Sequence, residues 1–285
     1  MPASIIAAID FETVPDLDQV PTLVGEDLPN DPLVRLERLK KYMKDGGQDE
    51  ANFFPPLALH RIIVPSILLA NIQYRDQFEY SYQAYSLTSM FSHNDADSLK
   101  ALIPWFTEKR PRFVTFNGRS FELPLMKLRC MYHGIQCGFF WLTGDNKYEN
   151  YDSRYSSQWH ADMMDLVSAH GAARNQKLRE VSTAARLPGK IFGCGRDVLH
   201  MYQENRIDEI RSYCEIDSLE TFLLYVRWQF IKCIIPAEGY KDSIVSVLRL
   251  LKSSPDKAHF MKFLDEWCKS DPQVCEWAQV DAGRS

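Results

Sequence analysis

Residues 5–9 (IIAAI) are continuously apolar and run directly into Asp10 and, one aromatic later, Glu12. An apolar run without alternation predicts a strand over 5–12, buried on both faces and central to a sheet. HRIIVPSILLANI (60–72) is again strand-like, and FEYSYQAYSLT (78–88) alternates strongly, which predicts a third strand. Their short connection predicts antiparallel pairing. NDADSLKALIPWFTEK (94–109) reads as a helix capped by Asn94 or Asp95, RFVTFN (112–117) as a strand, and FELPLMKLRCMYHG (121–134) as a helix starting near Pro124 and stopping at Gly134. Residues 138–158 are aromatic and irregular. Helices are predicted near 160–170, 176–187 and 196–204, then a long one over about 206–235, with further helix across 240–279.

Between the first two strands, residues 16–56 are rich in Pro, Asp and Gly. They read as an insertion or lid with one helix at DPLVRLERLKKYMK, Pro32 in its first turn. Three strands, a helix, a strand and then mostly helices predict an α/β or α+β domain with a mixed sheet. Neither an internal repeat nor a clear linker interrupts the 285 residues, so the expected organisation is one domain over 1–235 with a helical extension, 236–285, packed on it.

Composition changes this picture little: 45% hydrophobic and 25% charged residues are ordinary for a globular protein. No apolar run reaches membrane-spanning length, and the N-terminal run is broken by Asp10 with no basic segment before it, unlike a signal peptide. No membrane partner is expected. Seven scattered cysteines without a C-x-x-C pair suit reduced thiols and a cytoplasmic protein. Cys130, His133 and Cys137 have zinc-like spacing but lack a fourth ligand, and a helix carrying ordinary residues is the preferred reading. The net charge of −5 argues against a generic polyanion binder. Against that background, residues 100–135 carry 7 bases to 2 acids and residues 170–200 carry 6 to 2, a mild indication of a phosphate-bearing ligand.

The candidate chemistry is carboxylate chemistry. Asp10 and Glu12 point to one side of a strand, about 7 Å apart, at the carboxyl end where α/β sheets bind ligands. Clustered oxygen donors suit Mg²⁺ or Mn²⁺. FNGRSFELPLM (116–126) lies where a strand turns into a helix. Glu122 falls in that helix's first turn, where the dipole alone favours an acid, and Arg119 is a candidate phosphate contact. In YCEID (213–217), Tyr213 and Asp217 share a helix face with Ile210, Cys214, Thr221, Leu224, Tyr225 and Trp228. A carboxylate on so apolar a stripe needs an arginine or a metal as partner. Glu215 and Glu220 lie off that stripe and are expected to be exposed. GKIFGCG (189–195) is not a Walker A loop, and reads as a turn with Lys190 or Arg196 near a substrate backbone. The aromatic run from Phe139 to Trp159 suits loop packing or stacking of unpaired bases.

Taken in order, D-x-E ending the first strand, N-G-x-x-F-acid-L-P at a strand-to-helix turn and Y-x-x-x-D in a late helix resemble the DEDDy 3′–5′ exonucleases. TFNGRSFELPLMKLR, LPGK and RIDEIRSYCEIDSLETFLLY are most similar to predicted exonucleases related to the proofreading domain of family B DNA polymerases. The resemblance covers roughly residues 4–235. It implies a ribonuclease H-like fold, a mixed five-stranded sheet flanked by helices. It also implies two divalent ions, Mg²⁺ or Mn²⁺, with Asp10, Glu12 and Asp217 holding the first and Asp10 helping to hold the second. Tyr213 would orient the attacking water, and Asn117 and Phe121 would lie near the terminal nucleotide, with Thr13 a further candidate contact. The implied substrate is a single-stranded 3′ end, DNA before RNA, and the products are nucleoside monophosphates. One position departs: the family has aspartate where this chain has Glu122. The extra methylene implies weaker activity, a preference for Mn²⁺, or an impaired nuclease fold that binds nucleic acid or protein. Asp162 and Asp165 are other acids near enough in sequence to assist, or plain first-turn helix acids beside solvent.

Overall fold

A computed structural model describes residues 3–48, 53–142, 149–189 and 197–282. Its sheet has five strands in the order β3-β2-β1-β4-β5: β1 (Ile5–Pro15), β2 (His60–Arg75), β3 (Phe78–Ser89), β4 (Arg112–Thr115) and β5 (His160–Asp162). β1 pairs antiparallel with β2 and parallel with β4, so it is the central strand that its unbroken apolar run predicts. The helices are α1 (Val20–Val24), α2 (Pro32–Asp45), α3 (Asp95–Lys109), α4 (Glu122–His133), α5 (Met163–Val167), α6 (Leu178–Ala184), α7 (Val198–Gln203), α8 (Ile207–Ile231), α9 (Ala237–Lys252), α10 (Ala258–Ser270) and α11 (Pro272–Ala282). No helix among the described residues is long and apolar enough to cross a membrane.

Alternation along β1 divides its side chains between two cores. Ala7, Ile9 and Phe11 face a cluster with Leu102, Phe106, Leu123 and Met126 of α3 and α4. Ile6 and Ala8 face the opposite cluster, built on Ile216, Leu219 and Phe222 of α8. Val14 belongs to a third cluster with Tyr213 and Cys214 of α8. The period of two therefore assigns Asp10 and Glu12, lying between Ala8 and Val14, to the α8 side.

Two sequence expectations are overturned here. Residues 160–170 are not one helix: His160–Asp162 form β5 and only Met163–Val167 are helical. Three residues are too few to carry a period, and this strand exists through long-range pairing of Phe113 with His160 and Thr115 with Asp162. Glu215 and Glu220 are not exposed but buried. α8 is enclosed, with α9 and α10 covering what an isolated helix would offer to solvent. Glu215 accepts from Ser89 Oγ (2.7 Å), Lys257 Nζ (2.9 Å) and His259 Nε2 (2.7 Å), and Glu220 accepts from Ser182 Oγ of α6 at 3.0 Å. These partners make burial of the carboxylates tolerable. The other boundaries shift by a few residues. β4 ends at Thr115 because Asn117 adopts a left-handed backbone, φ 71°.

Candidate active site

The FNGRSFE turn is shaped by two contacts. Gly118 lies so close to β4 that a Cβ there would stand 2.4 Å from Thr115 Cβ, which leaves room only for glycine. Asp162, at the end of β5, accepts hydrogen bonds from the backbone N–H groups of Asn117 and Arg119, both at 2.9 Å. The same carboxylate caps α5 through Met164 N at 3.0 Å. Asp162 is thus not a helix acid beside solvent: it is buried, and its oxygens accept backbone hydrogen bonds from the turn. Asp165 is held by Arg119 Nε and Arg154 Nη2, each at 3.1 Å. The Arg119 guanidinium, expected near phosphate, is therefore engaged with Asp165 and the Asp152 carbonyl.

This turn delivers Glu122 to Phe11 of β1, beyond the last residue that β1 pairs with β4. Its carboxyl is buried, accepts from the Phe11 backbone and leaves Oε2 without a protein partner. Burial raises its pKa well above the ordinary carboxyl range, and the neighbouring charges of Asp10 and then Asp162 add to the effect. On the other side stands α8. The Tyr213 hydroxyl donates to Asp217, one turn along. Burial pushes the Tyr213 pKa up, and Asp217, Glu12 and Asp10 push it further, so the phenol stays protonated at neutral pH. Asp10 is thus an electrostatic neighbour of both Glu122 and the α8 group.

Thr13 and His60 have a defined proton arrangement. His60 Nε2 lies 2.9 Å from the Pro55 carbonyl, which can only accept, so Nε2 carries the proton. Burial lowers the His60 pKa, against the Pro55 bond, and keeps the ring neutral. Nδ1 is then an acceptor, and the Thr13 hydroxyl donates to it at 2.8 Å. Phe121 immediately precedes α4, and His60 meets its ring edge-on at 6.0 Å. Lys190 and Arg196 lie outside the described residues, as does Tyr148 of the aromatic run. Phe139, Phe140, Tyr151 and Trp159 of that run are core residues. His133, of the zinc-like trio, instead pairs with Asp95 at 2.6 Å.

Sequence reasoning gave Cys214 no role. Its Sγ donates to Asp10 Oδ2 at 3.2 Å, and ligand atoms of Asp10, Glu12 and Cys214 all lie within 4.8 Å of one another. Burial, then Asp10 and Glu12, raise the thiol pKa well above its ordinary value. In the metal-free chain the thiol stays protonated and is a hydrogen-bond donor to Asp10. Its place on the Tyr213–Asp217 stripe was the available signal.

The model of a family described as predicted 3′–5′ exonucleases related to the exonuclease domain of PolB matches residues 52–267, more than half of the chain. The chain belongs to this family. The match includes Glu122, Tyr213 and Asp217 and begins after β1, so Asp10 and Glu12 join the group through the fold. No curated protein matches the chain. Divalent ions fit the residues present: the donors are carboxylate oxygens, one of them buried without a partner, and the strongest charge neighbours of Glu122 are acids.

Proposed function

We propose that this exonuclease domain is a two-metal enzyme that removes nucleoside monophosphates from a single-stranded 3′ end, with DNA as the substrate. The observation that carries the reading is the convergence of Asp10 with Tyr213 and Asp217 on one side and Glu122 on the other, in a family of predicted 3′–5′ exonucleases. Asp10, Glu12 and Asp217 would hold one ion, and Asp10 with Glu122 the second. Two bound Mg²⁺ or Mn²⁺ ions would supply an activated water, neutralise the scissile phosphate and stabilise the leaving 3′ oxygen. Tyr213 keeps its proton and donates to Asp217, and its hydroxyl oxygen can accept from a water and orient it. Cys214 donates to Asp10 Oδ2. Asn117 opens and Phe121 closes the turn that leads into Glu122, where the terminal nucleotide would sit, and backbone bonds to Asp162 hold that turn against the pull of substrate.

The test uses 5′-labelled and 3′-labelled single-stranded DNA and RNA with Mg²⁺ and with Mn²⁺. The expected result is a ladder from 5′-labelled DNA and immediate release of label from the 3′-labelled strand. A second reading, an impaired nuclease fold that only binds, is favoured by one feature: Glu122 in the position of the family's aspartate, buried with its pKa raised. Binding without shortening under either ion would establish that reading instead.

A further inference from the structure

FFPP (53–56) ends the insertion and displays two adjacent phenylalanines to different surroundings. Phe53 packs against the insertion's own core of Val20, Leu39 and Met43. Phe54 is 57% exposed. Its carbonyl accepts from Gln48 Nε2 at 3.0 Å. Pro55 restricts the backbone of Phe54 to extended conformations, and Pro56 stiffens the segment further. The inner side of the ring leans on His60 at 4.7 Å and on Phe121 at 6.2 Å. His60 is itself immobilised through both ring nitrogens, to Thr13 and Pro55. The three rings form an aromatic shelf one residue from Glu122, through Phe121, and one residue from Glu12, through Thr13.

We propose that Phe54, supported by His60 and Phe121, stacks the 3′-terminal nucleobase and so selects an unpaired end. The proposal rests on the exonuclease reading above, since the continuity of the shelf with the carboxylate group identifies a terminal base as its occupant. Aromatic stacking tolerates any base, because each has a π-face. A paired end is disfavoured, because its terminal base must first be unpaired at a cost of a few kcal/mol before it can leave the duplex and dock. The rigid backbone of Phe54 means little conformational freedom is lost when a base docks.

The experiment uses the full chain with Ca²⁺ in place of Mg²⁺ and a short single strand carrying 2-aminopurine at its 3′ end or, as control, at its 5′ end. Quenching of the 3′ probe reports stacking without requiring cleavage. Phe54→Leu, which keeps apolar bulk but removes the π-face, is expected to weaken binding by on the order of 5- to 150-fold and to abolish the quench. Phe54→Trp is expected to restore both. Equal quenching of the two probes, or binding by Phe54→Leu equal to wild type, overturns the proposal even where the wild type cleaves. Selective 3′ quenching without cleavage under Mg²⁺ or Mn²⁺ would support the shelf and remove the exonuclease reading.

Discussion

Glu122 concentrates the residue-scale physics. In the unfolded chain it releases its proton near pH ~4.3, the ordinary glutamate value. In the metal-free folded chain, burial and Asp10 hold that proton to higher pH. Between these limits the folded state binds more protons than the unfolded state. The contribution of Glu122 is therefore complete below the unfolded pKa and is lost as pH rises through the folded one. Glu122→Gln cannot ionise and is expected to flatten this part of the profile of Tm against pH in chelator. An unchanged slope would place the proton elsewhere. Asp10→Ala is expected to reduce cleavage to background while the far-ultraviolet circular dichroism stays native. Normal cleavage by that variant would relocate the site.

At the scale of elements, the site depends on how strand ends and helix starts are fastened together. Arg129 of α4 donates to Asp95 of α3 at 2.6 Å and to Asp16, just past β1, at 2.7 Å, with all three residues buried. Burial pushes Asp95 up, but hydrogen bonds from Arg129 and His133 outweigh it and hold the carboxyl below its ordinary value. Arg129→Met would leave two buried carboxylates without their cation and is expected to destabilise the fold by about 3–5 kcal/mol in urea unfolding. A loss under ~1 kcal/mol would mean that water replaces the guanidinium. The FNGRSFE turn offers a second case. Gly118→Ala drives a methyl into Thr115 and is expected to cost about 1–3 kcal/mol and to slow cleavage, because Glu122 moves with the turn. Unchanged cleavage rates would separate the turn from the chemistry. The motif was legible in sequence because Asn-Gly before a helix is local turn chemistry. Its fastening by Asp162, more than forty residues later, was not.

For the whole molecule, the helices after α8 pack on the sheet and on α8. α9 lies across β3, with Ser243 Oγ accepting from Tyr82 N at 2.8 Å and Ser246 Oγ from Ala84 N at 2.9 Å. At Gly239 a Cβ would stand 1.7 Å from the Tyr80 carbonyl oxygen. Gly239→Val is therefore expected to lift α9 off the sheet and expose Ile244, Val247 and Leu248, which belong to the α8-side core. Reduced soluble yield and a lowered Tm would show this, whereas a wild-type Tm would mean that the close approach is dispensable. His259 of α10 and Lys257, just before α10, also reach Glu215, two positions from Asp217 on the helix that carries Tyr213.

The sequence by itself determined what short-range physics controls. The apolar run ending in Asp10 specified a central strand, the Asn117–Gly118 turn specified the approach to Glu122, and helical spacing set Tyr213 beside Asp217. Tertiary structure alone decided the rest. β5 is three residues held by pairing with a strand forty-seven positions earlier, so no local period announces it. Glu215 and Glu220 look solvated on a helical wheel and are buried because other helices close over them. The Cys214 thiol reaches Asp10, and the Phe54 ring reaches Phe121, only where separate elements cross. Periodicity reports one element's own faces, whereas burial, proton affinity and ligand geometry depend on what the other elements bring against them.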